Sequence, residues 1–342
     1  MKKIYWICSL FFLTGVFACE KEIVDRWLGF EKPAHFPTPV YKFENNPVTK
    51  DGFELGRKLF YETLLSADNT ISCGSCHIQT AAFTHHGHTV SHGIFDRLGT
   101  RNAPPVMNMA WNTSFMWDGG IVDMDLLSVA PITNHLEMDE AMPNVLNKLR
   151  NSSTYPALFK KAYGSEEITT AGFLKAISQF MAMCVSSNSK YDSVMRNEPG
   201  VAFTTAELAG KALVTTKCGG CHNEPLFTDH SFRNNGLIPS SVNDEGRFMI
   251  TNDPADRYKF KVPSLRNLAY TAPFMHDGRL LTLDAVLDHY SNGIQPMPTL
   301  DPLLKQQNSA GIPLTTQERS NILAFLQTLN DRSFLFDKRF SE

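Results

Sequence analysis

The chain has 342 residues, 42% hydrophobic and 20% charged. At roughly 150 residues per domain this suits about two compact domains, and it excludes intrinsic disorder and a small disulfide scaffold. Lys and Arg number 32 against 35 Asp and Glu, a net charge of −3, so the basic excess needed to bind a nucleic acid backbone is missing.

In chain order, Met1-Lys2-Lys3 followed by the apolar run Ile4–Ala18 reads as a signal peptide over residues 1–18, too short to span a bilayer. It ends Val16-Phe17-Ala18-Cys19, which resembles a bacterial lipobox. The expectation is a periplasm-facing protein with a lipid anchor at Cys19; ordinary cleavage with Cys19 incidental is the alternative. Residues 19–50 carry Pro33, Pro37, Pro39 and Pro47 among polar residues and read as an extended tether rather than a packed element.

Helices are expected at Gly52–Tyr61, Pro143–Arg150, Tyr155–Tyr163, Thr170–Val185, Thr204–Thr216, Leu283–His289 and Thr315–Leu329, from apolar residues at helical spacing. Thr204 and Thr315 each have a Glu three residues on, as capped helix starts do. Alternating β pattern is nearly absent, so the fold is expected to be mainly α. Cys184, inside an apolar helix, reads as a buried core thiol.

The chain repeats itself. Pro104–Gly119, PPVMNMAWNTSFMWDG, superposes without a gap on Pro263–Gly278, PSLRNLAYTAPFMHDG, at an offset of 159. Upstream, Cys73-Gly74-Ser75-Cys76-His77 answers Cys218-Gly219-Gly220-Cys221-His222, and Phe83-Thr84 answers Phe227-Thr228. A tandem duplication follows, with its join near residues 190–203. The expected organisation is a domain over 51–190 and a second over 191–342.

Chance at this chain's Cys and His frequencies would supply only ~0.005 matches to Cys-x-x-Cys-His, the haem-attachment pattern, yet two occur. The two thiols add across porphyrin vinyl groups, and the adjacent imidazole is held beneath the iron. Small residues between the thiols let the backbone lie close to the ring. Zinc binding and a thioredoxin-like redox pair compete for CxxC, but neither explains the following His twice.

With two such motifs in duplicated α domains, the chain resembles the bacterial dihaem cytochrome c peroxidase family, including its MauG-like branch. The resemblance covers roughly residues 50–330 and is carried further by Phe115-Met116-Trp117-Asp118-Gly119, Leu136-Glu137-Met138 and Ala272-Pro273-Phe274-Met275-His276-Asp277-Gly278. It implies two tandem cytochrome c-like domains, each with one covalent c-type haem, with His77 and His222 as proximal iron ligands and the N-terminal haem as the peroxidatic one. It implies Glu137 as general acid–base, Trp117 as an electron bridge between the haems, and His92, in the loop with Gly87 and Gly93, as a distal ligand that swings away. His85, His86 and His88 compete with His92, and a surface loop of solvated histidines is the bland reading. It also implies calcium on Asn102, Thr271 and Pro273, a set of oxygen ligands suited to that hard cation.

One position departs from the peroxidase branch. Its C-terminal haem carries a methionine fourteen residues after the HDG histidine, and counting from His276 gives Tyr290. MauG-like members have tyrosine there. Phenolate stabilises ferric iron where a thioether raises its potential, so Tyr290 as ligand conflicts with a His92 cap that leaves on reduction. Met275 and Met297 could substitute for the missing methionine.

The resemblance therefore implies an oxidoreductase of the cytochrome-c peroxidase type, reducing hydrogen peroxide to water with electrons from a small c-type cytochrome or cupredoxin. The alternatives are a MauG-like oxidase acting on a partner protein and a dihaem electron carrier without peroxide chemistry. The family often forms homodimers, though nothing legible in this chain requires one.

Overall fold

Helix starts follow local chemistry. The Thr49 hydroxyl accepts from the Gly52 amide and opens the helix Lys50–Phe60. At Thr204 and Thr315 the hydroxyl bond is reciprocated by Glu207 and Glu318, opening Thr205–Leu213 and Thr316–Gln327. These elements belong to a computed structural model that describes residues 27, 29–305 and 310–342. The expected signal segment and Cys19 lie outside the described residues.

Further helices span Met142–Arg150, Tyr155–Tyr163, Thr170–Met183, Lys190–Met195 and Leu283–Asp288. Two expected helices change character before their predicted ends: π-helical turns take over at Val214–Cys218 and His289–Gly293, both next to candidate functional residues. Among the described residues the one regular strand pair is antiparallel, Phe232 opposite Lys261 and Arg233 opposite Phe260. The fold is mainly helical.

The sequence repeat is also a repeat of packing. Gly56 lets Lys50–Phe60 cross Thr170–Met183 so closely that a Cβ on it would lie 1.9 Å from the Ala176 carbonyl oxygen. Gly210 does the same for Thr205–Leu213 against Thr316–Gln327, 1.9 Å from the Asn321 oxygen. Phe115 and Phe274 each donate a 2.7 Å backbone bond, to Ile121 and Leu280, across equivalent tight turns. Met116 and Met275 in those turns both take positive φ. Asn108 and Asn267 likewise tie their N–H to the carbonyls of Cys184 and Leu329, just beyond the helices Thr170–Met183 and Thr316–Gln327.

Two apolar clusters result. The first gathers Phe53, Phe60, Phe83, Phe159 and Phe180, and the chain's end returns to it through Phe334, Leu335 and Phe340. The second gathers Tyr191, Val214, Phe227, Ile322 and Phe325. Cys184 is fully buried in the first, as its apolar helix predicts.

The tether expected over residues 19–50 is corrected in its described part. Phe36 is only 3% exposed and packs edge-on to Trp111, whose indole N–H donates to the Pro37 carbonyl at 2.8 Å. Asn46 is buried and donates to the Lys175 carbonyl. The prolines remove helix, but interspersed aromatics each gain about 1.5–3 kcal/mol by burial, enough to dock a segment that polar composition alone would leave in solvent. His35 reaches across to Asp192 at 2.7 Å. Asp192 in turn holds the wholly buried Arg266 guanidinium through two bonds of 2.8 and 2.9 Å.

Candidate functional site

Each CxxCH motif forms a turn that brings the backbone of its histidine back to its first cysteine. The His77 amide donates to the Cys73 carbonyl at 2.9 Å and the His222 amide to the Cys218 carbonyl at 2.8 Å. His77 Nδ1 lies 2.8 Å from the Phe83 carbonyl oxygen and His222 Nδ1 3.1 Å from that of Phe227. Both phenylalanines take positive φ. A carbonyl only accepts, so Nδ1 carries the proton in both rings and Nε2 keeps its lone pair. Burial lowers both imidazole pKa values, keeping the rings neutral as iron ligation requires.

The five described cysteines form no disulfide. Burial pushes the Cys73 thiol up to about 12 and those of Cys76, Cys218 and Cys221 to about 11. The pairs pack against separate apolar clusters and do not converge on one four-ligand zinc centre. Two thiols and one neutral, pre-oriented imidazole per repeat fit a covalent haem. The small residues inside the motifs have a further reason: a Cβ on Gly74 would lie 2.3 Å from the Tyr61 ring, and one on Gly220 would lie 2.8 Å from Leu303.

Beside the first motif, Glu137 accepts side-chain hydrogen bonds from Ser91 and Asn134, while burial raises its pKa overall. The His92 loop is clamped to it. Ile94 N–H donates to the Glu137 carbonyl at 2.9 Å, and a Cβ on Gly93 would sit 2.2 Å from the Leu136 oxygen. Gly93 therefore serves close approach, which corrects the expectation that it provides mobility; Gly87 stands in open space. The His92 carbonyl lies 3.4 Å from Cys76 Sγ.

Of the four histidines in this stretch only His86 is exposed; the other three are buried or partly buried and meet one another. His85 is buried and stacks on His88 with ring centroids 4.1 Å apart, and His88 Nδ1 meets His92 Nε2 at 3.0 Å. Burial, then the neighbouring imidazoles, lower the His85 pKa to about 4. Four histidines within eight residues signalled this cluster in the sequence, but not which ones would meet.

Trp117 stands where the repeats touch. Its indole N–H donates to the Asn102 carbonyl at 2.8 Å, and its own carbonyl accepts from the Lys261 amide at 2.7 Å. Asn102 N–H donates to the carbonyl of His276, the repeat partner of Trp117, at 2.7 Å. His276 itself stacks on Phe260, centroids 3.7 Å apart. The Asn102 side-chain amide faces the carbonyls of His88 and Thr89 at 3.3 and 3.2 Å; Thr271 is buried, and Pro273 follows a cis peptide bond.

A cleft beside Trp117 is lined by Pro104 and Pro263 and by two residues that no motif announced, His230 and Lys261. Burial lowers the Lys261 pKa to about 8, and its ammonium donates to the Ser114 carbonyl at 2.9 Å.

Beside the second motif, burial pushes the Tyr290 phenol up to about 12; the Asn235 side chain bonds to it and lowers it, and Cys221 and Cys218 are near enough to raise it. Met275 Sδ accepts from the same Asn235 amide at 3.4 Å, whereas Met297 Sδ accepts from Asn234 at 3.5 Å. Tyr290 is thus the residue whose environment joins the second cysteine pair, with Met275 its near neighbour.

The family model for di-haem cytochrome c peroxidase matches residues 50–200. The chain is 35% identical over 315 residues to methylamine utilization protein MauG of Methylorubrum extorquens, covering 91% of this chain and 86% of that protein. It is 33% identical over 287 residues to cytochrome c551 peroxidase of Nitrosomonas europaea, covering 83% and 81%. Among solved structures, a MauG-like protein associated with microbial copper homeostasis superposes with a TM-score of 0.81 at 33% identity, covering 92% of this chain and 99% of that one. The chain is therefore an oxidoreductase belonging to the family of di-haem cytochrome c peroxidases and MauG-like proteins.

Proposed function

We propose that this protein consumes hydrogen peroxide at an N-terminal haem held by Cys73, Cys76 and His77, and draws the electrons through a C-terminal haem held by Cys218, Cys221 and His222. The observation that carries the choice of electron source is Tyr290, half-buried near Cys218 and Cys221 where a high-potential haem would need a thioether. A phenolate-ligated haem favours MauG-like withdrawal of electrons from a partner protein over ordinary reduction by a small carrier.

When bound, the haems supply the iron that meets peroxide and the sites that hold oxidising equivalents. Glu137 holds and returns a proton beside the first of them; burial places its pKa nearer to working pH, and Ser91 and Asn134 aim its carboxyl. Trp117 bridges the repeats with its N–H fixed on Asn102. Asn102 with Thr271 and Pro273 is the proposed calcium site. Residues 1–18 and Cys19 support export to the periplasmic side with a lipid anchor. Among the described residues no helix is long and apolar enough to cross a membrane.

The second reading, a peroxidase served by a small c-type cytochrome or cupredoxin, is favoured by Met275, whose sulfur lies on the same Asn235 amide as Tyr290. EPR and optical spectra of the oxidised and half-reduced protein, wild type and Tyr290→Phe, decide between them. The expected result is that the substitution changes the six-coordinate signal and ascorbate reduces neither haem. An easily reduced haem with a methionine-type signature, unchanged by the substitution, overturns the MauG-like reading and leaves the peroxidase.

A further inference from the structure

Histidine binds iron through an imidazole nitrogen with a free lone pair, and a nitrogen shared in a hydrogen bond is not available for it. His92 is the residue expected to cap the peroxidatic iron. Its carbonyl accepts from Cys76 Sγ at 3.4 Å, so the residue lies beside the first cysteine pair. Its Nε2, however, is 3.0 Å from His88 Nδ1, with the rings inclined at 74° and centroids 4.3 Å apart.

His88 is itself held. It stacks nearly parallel on His85, at 18°. Its carbonyl accepts from the Asn102 side chain at 3.3 Å, and its amide donates to the His85 carbonyl, also at 3.3 Å. The backbone on the other side of His92 is fixed as well: Ser91 N–H bonds to the Arg101 carbonyl at 3.0 Å, and Gly93 N–H to that of Arg97 at 2.8 Å. A swing of the whole loop would break this ladder, whereas rotation of the His92 side chain need break only the bond to His88.

We infer that His88 is a positioning residue, a latch that holds His92 Nε2 away from the N-terminal haem iron in the fully oxidised protein. The peroxidatic site then stands open without prior reduction. This resolves the conflict between a Tyr290-ligated second haem, hard to reduce, and a His92 cap that leaves only on reduction. The inference rests on the reading that Cys73, Cys76 and His77 carry a haem.

The test is the spin state of the oxidised holoprotein, by EPR and optical spectroscopy, in wild type, His88→Ala, His88→Asn, His92→Ala and the double variant His88→Ala/His92→Ala. Haem content by pyridine haemochrome and far-UV circular dichroism are measured on each sample. Wild type is expected to show a high-spin haem. His88→Ala should convert it to low spin and slow its reaction with peroxide at least tenfold. His88→Asn, whose amide can replace Nδ1 in the bond to His92, should retain the wild-type spectrum, and the double variant should return to high spin because the His92 cap is gone.

A high-spin His88→Ala protein that reacts at the wild-type rate overturns the latch. So does a wild type that is low spin at both haems and becomes high spin in His92→Ala. Should His88→Ala not fold, a His88→Asn protein with a low-spin N-terminal haem overturns it equally. Fewer than two haems per wild-type chain instead defeats the reading of the motifs themselves, and the latch with it.

Discussion

The two repeats share their proximal chemistry and differ on nearly everything that faces it. Phe83 and Phe227 orient His77 and His222 in the same way, and Gly56 and Gly210 permit the same helix crossing. Around the first cysteine pair lie Glu137 and the His85–His88–His92 cluster, around the second Tyr290 with Asn235 and Met275. At equivalent places Trp117 answers His276, and the buried apolar Met107 answers the buried Arg266. Duplication thus kept the cysteine–histidine motif and its carbonyl partner in both repeats while the residues around them diverged.

That contrast can be broken most completely at the cysteines. Cys73→Ala/Cys76→Ala and Cys218→Ala/Cys221→Ala should each lower the pyridine haemochrome count from two haems to one, but only the first should abolish the direct reaction with peroxide. Next in size, Glu137→Gln should slow peroxide turnover by ~10²–10⁴-fold at unchanged haem content. Because its carboxyl pKa is raised, the wild-type rate should fall on acidification at a pH above the ordinary ~4.3, as the base form is lost. That acid limb should be missing from the Glu137→Gln profile.

Tyr290→Met should raise the potential of the C-terminal haem alone, by on the order of 0.1 V or more in a redox titration, and make it reducible by ascorbate. The Met107–Arg266 difference can be sharpened by unfolding in urea. Arg266→Met removes the guanidinium from the buried Asp192 carboxylate, leaving it to His35 and Ser189, and should cost about 3–5 kcal/mol, whereas Met107→Leu should cost under ~1.5 kcal/mol. Burial by itself would raise the Asp192 pKa, but bonding to Arg266 prevails and lowers it to about 2. A carboxyl depressed on folding stabilises the native state above its unfolded pKa of ~3.9, and this contribution should vanish as pH falls towards about 2. The smallest effects belong to the equivalent helix caps: Thr49→Ala and Thr204→Ala should each cost about 1 kcal/mol by the same measurement.

Features that need only neighbouring residues were legible in the chain. Thr204 and Thr315 with their glutamates announced helix starts, and the two CxxCH motifs carry their own chemistry within five residues. The gapless repeat from Pro104 and Pro263 signalled a duplication, and in the structure Met116 and Met275 occupy equivalent turns, both at positive φ. The docked segment around Phe36 was read as a tether because local composition does not reveal the apolar surface around Trp111 that receives it.

By itself, then, the sequence determined the helical class, the duplication and two sites suited to haem attachment, since spacing, caps and motif chemistry act over a few residues. Tertiary structure decided the pairings: Arg266 with Asp192, Tyr290 with the second cysteine pair, Trp117 with Asn102 and His92 with His88. The first three join residues well apart in the chain, and no periodicity encodes their distances. His88 and His92 are only four apart, yet the loop has no regular geometry to predict that their rings meet. That contact depends on packing around the loop: Gly93 pressed against Leu136, Ile94 bonded to Glu137, and His85 buried behind His88.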